Sequence, residues 1–244
     1  MTDFKISVVV RTYNESKHLG ELLDKLDRQT YQNYEVVLVD SESTDNTREI
    51  AANHGAHIVK INKEDFNYSY ASNIGVKHAT GDIVCFLSGH SVPVKDTYLY
   101  DLNRVFNSDS RIGGVYGDVI ALPDGSWIEK AFNQLGYLKN KIKGRSAGIS
   151  LETSIHPGIF SCSNAAGLRQ LLLQHPFAQP LGHGGEDIEV AYRIINEGYA
   201  IAQDPELLVM HSHGLGLIPF MRQYKAWRKM YGDVISYIAA DSKK

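Results

Sequence analysis

At 244 residues the chain has room for one large α/β domain or two small ones, and 43% hydrophobic with 22% charged residues is a globular balance. A net charge of −3 excludes the extended basic face that nucleic-acid binding requires. Two cysteines, Cys85 and Cys162, are too few for a disulfide framework and fit a reducing compartment.

The opening segment MTDFKISVVV enters a strand at once, with no signal-peptide pattern, and no apolar stretch approaches the roughly 20 residues that span a bilayer. A cytoplasmic protein is expected. Ile6 to Val10 is a continuous apolar run, as in a strand buried on both faces. Leu19, Leu22, Leu23 and Leu26 then recur at helical spacing. Tyr34 to Val39 is the second strand, and Ser43 to Asn46 offer caps for a helix ending near His54. His57 to Ile61 is a third strand, Tyr70 to Ala79 a helix, and Asp82 to Leu87 another buried strand. Strands alternating with helices in this way predict a parallel sheet with right-handed crossovers. From Gly113 the rhythm changes. GGVYGDVIAL reads as one longer strand, Trp127 to Ile142 as a helix, and Lys143 to Pro157 as a loop. Gly185 to Gly198 contains a second helix, followed by short strands at Ile201–Ala202 and Leu207–Met210. Leu217 to Ala239 is a terminal helix. No linker divides the chain, so one α/β domain is expected, with a mostly parallel central sheet flanked by helices.

In such a sheet ligands gather beyond the carboxyl ends of the strands. Strand one ends in Arg11-Thr12-Tyr13-Asn14-Glu15, strand two in Asp40-Ser41-Glu42-Ser43, and the later strand in Ser88-Gly89-His90. No glycine-rich fingerprint follows strand one, which counts against a dinucleotide fold. A tyrosine can stack on a base and a carboxylate can accept from a base N–H or a ribose hydroxyl. Equally, Asp40 and Glu15 can simply cap the helices that follow them. Glu186 and Asp187 open a helix, where acids are common for electrostatic reasons alone. Neighbours there point about 100° apart, so they cannot share one task. His211 and His213 stand two apart at a strand end and face one way, as half of a metal site or as two surface histidines.

Taken in order, VVVRTYNES, VVLVDSESTDNT and SNIGVKHATGDIVCFL resemble the nucleotide-binding half of family-2 glycosyltransferases, which have the GT-A fold, Rossmann-like and single-domain. The resemblance implies a nucleotide-binding half over residues 1–110, an acceptor and catalytic half over 111–216, and a C-terminal helix over 217–244. It implies a nucleoside held by Thr12, Tyr13, Glu15 and Asp40, with Asn73 and Gly75 near the ribose and diphosphate. It also implies Asp187 as the base of an inverting transfer, with Glu186 in support.

The family's Asp-x-Asp motif is absent. Ser88-Gly89-His90 stand in its place, at the diphosphate. His90 either joins His211 and His213 in holding a divalent cation, Mn²⁺ or Mg²⁺, or donates directly to the diphosphate, or marks a degenerate site. Similar Ser-small-His strings, with R-T-x-N-E and V-D-S-x-S-T-D, occur in a branch resembling bacterial polysaccharide rhamnosyltransferases. The implied partners are a uridine or thymidine diphosphate sugar and a glycan or lipid-linked acceptor. A non-catalytic nucleotide-sugar-binding protein and a sugar nucleotidyltransferase are the alternatives. The latter lacks its loop, because Asn14-Glu15-Ser16-Lys17 is not glycine-rich. In the terminal helix, aromatic and basic residues alternate, which suits packing on the domain, a homo-oligomer contact, or the inner face of a membrane.

Overall fold

The computed structural model describes residues 1–142 and 148–241. Part of the expected Lys143–Pro157 loop and the end of the expected C-terminal segment lie outside the described residues. The first half runs β1 (Ile6–Thr12), α1 (Ser16–Asp27), β2 (Tyr34–Asp40), α2 (Thr47–Asn53), β3 (His57–Lys60), α3 (Tyr68–His78) and β4 (Ile83–Ser88). There follow β5 (Val92–Pro93), α4 (Tyr98–Ser108), β6 (Ile112–Tyr116), β7 (Val119–Ile120) and α5 (Trp127–Ile142). The rest is β8 (Ser150–Glu152), β9 (Asn164–Leu168), α6 (Arg169–Gln174), α7 (Glu186–Asn196), β10 (Ala200–Gln203), β11 (Val209–Met210) and α8 (Leu217–Asp241).

Eight strands form the main sheet in the order β3-β2-β1-β4-β9-β6-β10-β8. Neighbours run parallel except where β9 meets β4 and β6, and where β8 meets β10. The chain leaves β1 toward β2 on one side and returns to β4 on the other, so the order reverses between β1 and β4. That reversal opens a crevice at the strands' carboxyl ends.

The alternation of the pleat sorts the apolar runs onto two faces. Ile6, Val8 and Val10 join Leu19, Leu22, Leu23 and Leu26 of α1 in one buried layer. Val9 faces the other layer, with Ala71 and Val76 of α3 and Ile188, Ala191 and Ile194 of α7. Each of those leucines contributes about 2 kcal/mol by leaving water. α3 reaches β1 so closely that a Cβ on Gly75 would lie 2.3 Å from Val9 Cγ1.

Three elements depart from the sequence reading. The expected long strand from Gly113 is split: β6 belongs to the main sheet, while β7 joins β11 and β5 in a separate three-stranded sheet. The break falls at Gly117, where a Cβ would sit 1.7 Å from the Leu207 carbonyl oxygen. β9 lies near the middle of the main sheet, although Asn-Ala-Ala-Gly-Leu has none of the β-branched residues that advertise a strand. Small residues are needed there because the Phe160 ring lies over Gly114 and Gly167. α4 carries Leu99, Leu102, Val105 and Phe106 at helical spacing, all buried, a pattern the sequence reading passed over. Trp127, at the start of α5, is 67% exposed. No helix among the described residues is long and apolar enough to cross a membrane.

Candidate active site

The loops after β1 and β2 are stitched to each other. The Asn14 amide N–H donates to Ser43 Oγ (2.9 Å), the Glu15 N–H to Thr47 Oγ1 (2.8 Å), and the Ser16 N–H to Asp45 Oδ2 (3.1 Å). Asn14 adopts φ +54° and accepts from the Thr44 N–H at 2.8 Å. Asp40 is wholly buried; it accepts from the Ser43 N–H at 3.1 Å and lies 3.3 Å from Thr12 Oγ1. Thr12 is buried as well. Both brace the turn at the strand ends, as a capping carboxylate does.

Beside this brace, a cavity of about 480 Å³ is lined by Glu42, Ser43, Thr44, Arg48, Lys60, Ile61 and Asn62. Through Lys63, whose backbone N–H donates to Glu42 at 3.0 Å, this lining connects to Tyr13. The Tyr13 hydroxyl accepts from Lys63 Nζ at 2.6 Å, and the same ammonium lies 4.4 Å from the ring centroid. Asn73, expected near the ribose, spends both ends of its amide on the Phe177 backbone at 2.9 and 2.8 Å. Gly75 is explained by its contact with Val9. Both tie α3 to its neighbours.

A second cluster forms where β4 ends. β5 pairs antiparallel with β11, so Met210 faces Val92, and this pairing carries His90 and Ser91 up against His211. The His90 ring stacks on His211 with centroids 4.6 Å apart and meets His213 edge-on at 5.2 Å. His211 Nδ1 is 2.9 Å from Ser91 Oγ, and its Nε2 is 3.3 Å from His213 Nε2. Glu15 reaches across from the β1 loop, its carboxylate 2.9 and 3.0 Å from His90 Nδ1. Gly89 permits this, because a Cβ there would come 2.6 Å from Glu15 Cγ.

A carboxylate accepting at Nδ1 places a proton on that nitrogen, so Nε2 is the ring nitrogen that faces a further partner. That Nε2 is buried with no hydrogen-bond partner. Burial, then the neighbouring histidines, holds His211 well below the usual imidazole range and lowers His213 too. The three residues offer one nitrogen each within 4.8 Å of one another. Neutral imidazoles, one oriented by a carboxylate, are a donor set for a divalent transition ion. Ser88 closes the turn beneath them, its carbonyl accepting from the Ser91 N–H at 2.9 Å.

The third group opens α7. Gly184 and Gly185 turn the chain at φ +140° and +90°, a conformation that favours glycine. Glu186 follows, buried, 3.8 Å from Arg11 Nη1. Arg11 also donates to Ser72 Oγ at 3.1 Å and lies 5.2 Å from the Tyr68 ring centroid. Burial, then the charge of Asp187, raises the Glu186 carboxyl to about 8, and Arg11 opposes this. Burial raises Asp187 to about 6 against backbone N–H donation from Ile188 and Cys162 and the Arg11 charge. The two carboxyls titrate as a pair that holds one proton near neutrality. Such a pair can accept a proton from a hydroxyl at physiological pH.

Arg11 acts electrostatically on Glu186, Asp187 and His211 alike, so the acid pair and the histidines lie within reach of one guanidinium near the end of β1. The sequence reading quoted Arg11 at a strand tip but gave it no role. Glu129 was also missed. It accepts from the His213 N–H at 2.8 Å while exchanging hydrogen bonds with Ser126. The signal was present as Ser126-x-x-Glu129, a capping box.

Known proteins resemble this chain in sequence and in fold. Over 236 residues the chain is 25% identical to a dolichyl N-acetyl-α-D-glucosaminyl phosphate 3-β-D-2,3-diacetamido-2,3-dideoxy-β-D-glucuronosyltransferase of Methanococcus voltae, covering 89% of this chain and 70% of that one. It is 27% identical over 216 residues to the O-antigen chain rhamnosyltransferase WbaN of Salmonella anatum, covering 85% and 66%. Among solved structures, the mannosyltransferase PcManGT of Pyrobaculum calidifontis, in complex with GDP-Man and Mn²⁺, superposes with a TM-score of 0.63 at 24% identity, covering 86% and 57%. The chain spans between 46% and 70% of the length of some curated relatives it matches and 19% to 22% of others. The fold is thus the GT-A type. Residues 7–172 match glycosyl transferase family 2, and the chain belongs to that family.

Proposed function

We propose that the chain transfers a sugar, with inversion, from a nucleoside diphosphate donor to an acceptor hydroxyl in glycan synthesis, working as one unit over residues 1–244. The carrying observation is the Glu186–Asp187 pair at the start of α7, Glu186 buried and Asp187 half-buried, with Glu186 3.8 Å from Arg11 near the end of β1. Asp187 takes the acceptor proton as the new bond forms. Glu186 keeps its proton at neutral pH, so a second negative charge does not oppose the arriving donor. Arg11 limits the repulsion within the pair and aims positive charge at the crevice.

The nucleoside occupies the cavity beside Tyr13, Glu42 and Lys60, with Glu15, Ser88 and His90 toward the diphosphate. His90, His211 and His213 would hold a divalent cation. The buried His90 Nε2, without a hydrogen-bond partner, fits that role, and nitrogen donors favour Mn²⁺ over Mg²⁺. When bound, the ion would neutralise charge developing on the leaving diphosphate.

A uridine or thymidine diphosphate sugar is the proposed donor. A lipid-linked saccharide is the proposed acceptor, which the dolichyl phosphate in the Methanococcus relative's name supports. The two buried free thiols suit a cytoplasmic setting. A panel of nucleotide sugars, scored by thermal shift and by donor hydrolysis with Mn²⁺ or Mg²⁺, tests the reading. One diphosphate sugar should stabilise the protein and turn over; stabilisation by none of them would refute it.

A further inference from the structure

We infer that the outer faces of α5 and α8 together form a docking surface for an anionic lipid bilayer. The two helices lie side by side, with the Phe132 ring 5.2 Å from Phe220 and 5.8 Å from Tyr224, centroid to centroid. α8 is anchored on one side, where Phe220 and Val234 are buried and Met230 packs over Gly184. Its next strip is apolar but open to water: Leu217, Met221 and Tyr224. α5 continues that strip with Trp127 and Leu135, exposed by 67% and 68%, and Leu138. A contiguous apolar surface of this kind on a globular chain marks an interaction site.

Charge selects the occupant. Leu217 to Gly232 contains four cations, Arg222, Lys225, Arg228 and Lys229, and no acid, in a chain whose net charge is −3. Lys229 pairs with Asp233 at 2.7 Å, while Arg222, Lys225 and Arg228 are exposed. Helical spacing sets these cations alongside the apolar strip. Aromatic and aliphatic residues rimmed by cations match the acyl boundary and the phosphates of an anionic leaflet. A second copy of the same surface would set cation against cation.

The surface is also tied to the cleft. The loop bearing His211 and His213 runs directly into α8, and Glu129 of α5 holds the His213 N–H. On the proposed function, a lipid-linked acceptor would therefore reach the crevice from the bilayer without leaving it.

Of the chain's two tryptophans, Trp127 lies on this surface, 67% exposed, while Trp227 packs edge-on against Phe220 at 6.4 Å, so a shift in emission reports chiefly on Trp127. The full chain should co-float with phosphatidylcholine–phosphatidylglycerol vesicles and shift its emission to the blue. Pure phosphatidylcholine should bind far less. Lys225→Gln with Arg228→Gln should weaken partition by roughly fivefold per cation removed, and Leu135→Ser with Ile218→Ser should abolish the emission shift. Circular dichroism and thermal shift of the variants check their folding, which exposed substitutions should leave intact. Failure to bind either vesicle would overturn the inference. So would a lipid-free dimer whose emission is already blue-shifted. Neither readout depends on transfer, so vesicle binding without donor turnover would sink the proposed reaction and leave this surface standing.

Discussion

The two loops after β1 and β2 and the mouth of α7 both carry carboxylates, but in opposite condition. In the loops every acid is satisfied: Asp40 accepts from Ser43, and Asp45 from Thr47 and Ser16. Hydrogen bonds outweigh burial there and hold Asp45 at about 2. At α7 burial outweighs the available donors, and both carboxyls rise. The same contrast separates the Asn73 amide, occupied at both ends, from the His90 ring, whose buried Nε2 has no partner. Polar groups with complete partners build the frame. The His90 ring and the α7 carboxyls, left short of partners by the fold, are the groups the proposed reaction uses.

The largest effect should come from exchanging the two kinds of aspartate. Asp187→Asn should cut transfer by about a hundredfold or more, with nucleotide affinity and melting temperature near wild type. Asp40→Ala should do the reverse, costing about 1–3 kcal/mol of stability as the Ser43 N–H loses its acceptor. Normal transfer by the Asp187 variant would break the comparison.

Next in size, His90→Ala should weaken Mn²⁺ binding by roughly tenfold to a hundredfold, measured by calorimetry. Unchanged affinity would remove His90 from the ion.

The smallest effect is the most diagnostic. Glu186 has a raised carboxyl, so its contribution to stability is full below about 4.5 and is lost as pH climbs through about 8. Glu186→Gln should therefore gain melting temperature relative to wild type as pH rises across that window. A flat difference would mean that Glu186 is not held protonated by the fold. Transfer itself should rise with pH through about 6, as Asp187 loses its proton.

Much of the first half was legible in the amino-acid order. Val8 to Val10 and Val84 to Phe86 are buried on both faces, so the strands announce themselves as unbroken apolar runs. Glu186 and Asp187 were legible too, as acids opening a helix. Thr12, Asp40, Asn73 and Gly75 were legible as a motif, and the structure adds that each also holds a loop or helix in place. β9 was hidden by its small residues, among which Gly167 lies under the Phe160 ring. Arg11 was visible but could not be paired, since Glu186 lies far along the chain.

What the sequence determined by itself is the βα rhythm, because solvent exclusion on both faces of a parallel strand writes itself into consecutive residues. What only the tertiary structure decided is the meeting of His90 with His211 and His213. That meeting rests on β5 and β11, two residues each, too short to show any period. Their pairing is fixed by the sheet they extend, not by the residues that compose them.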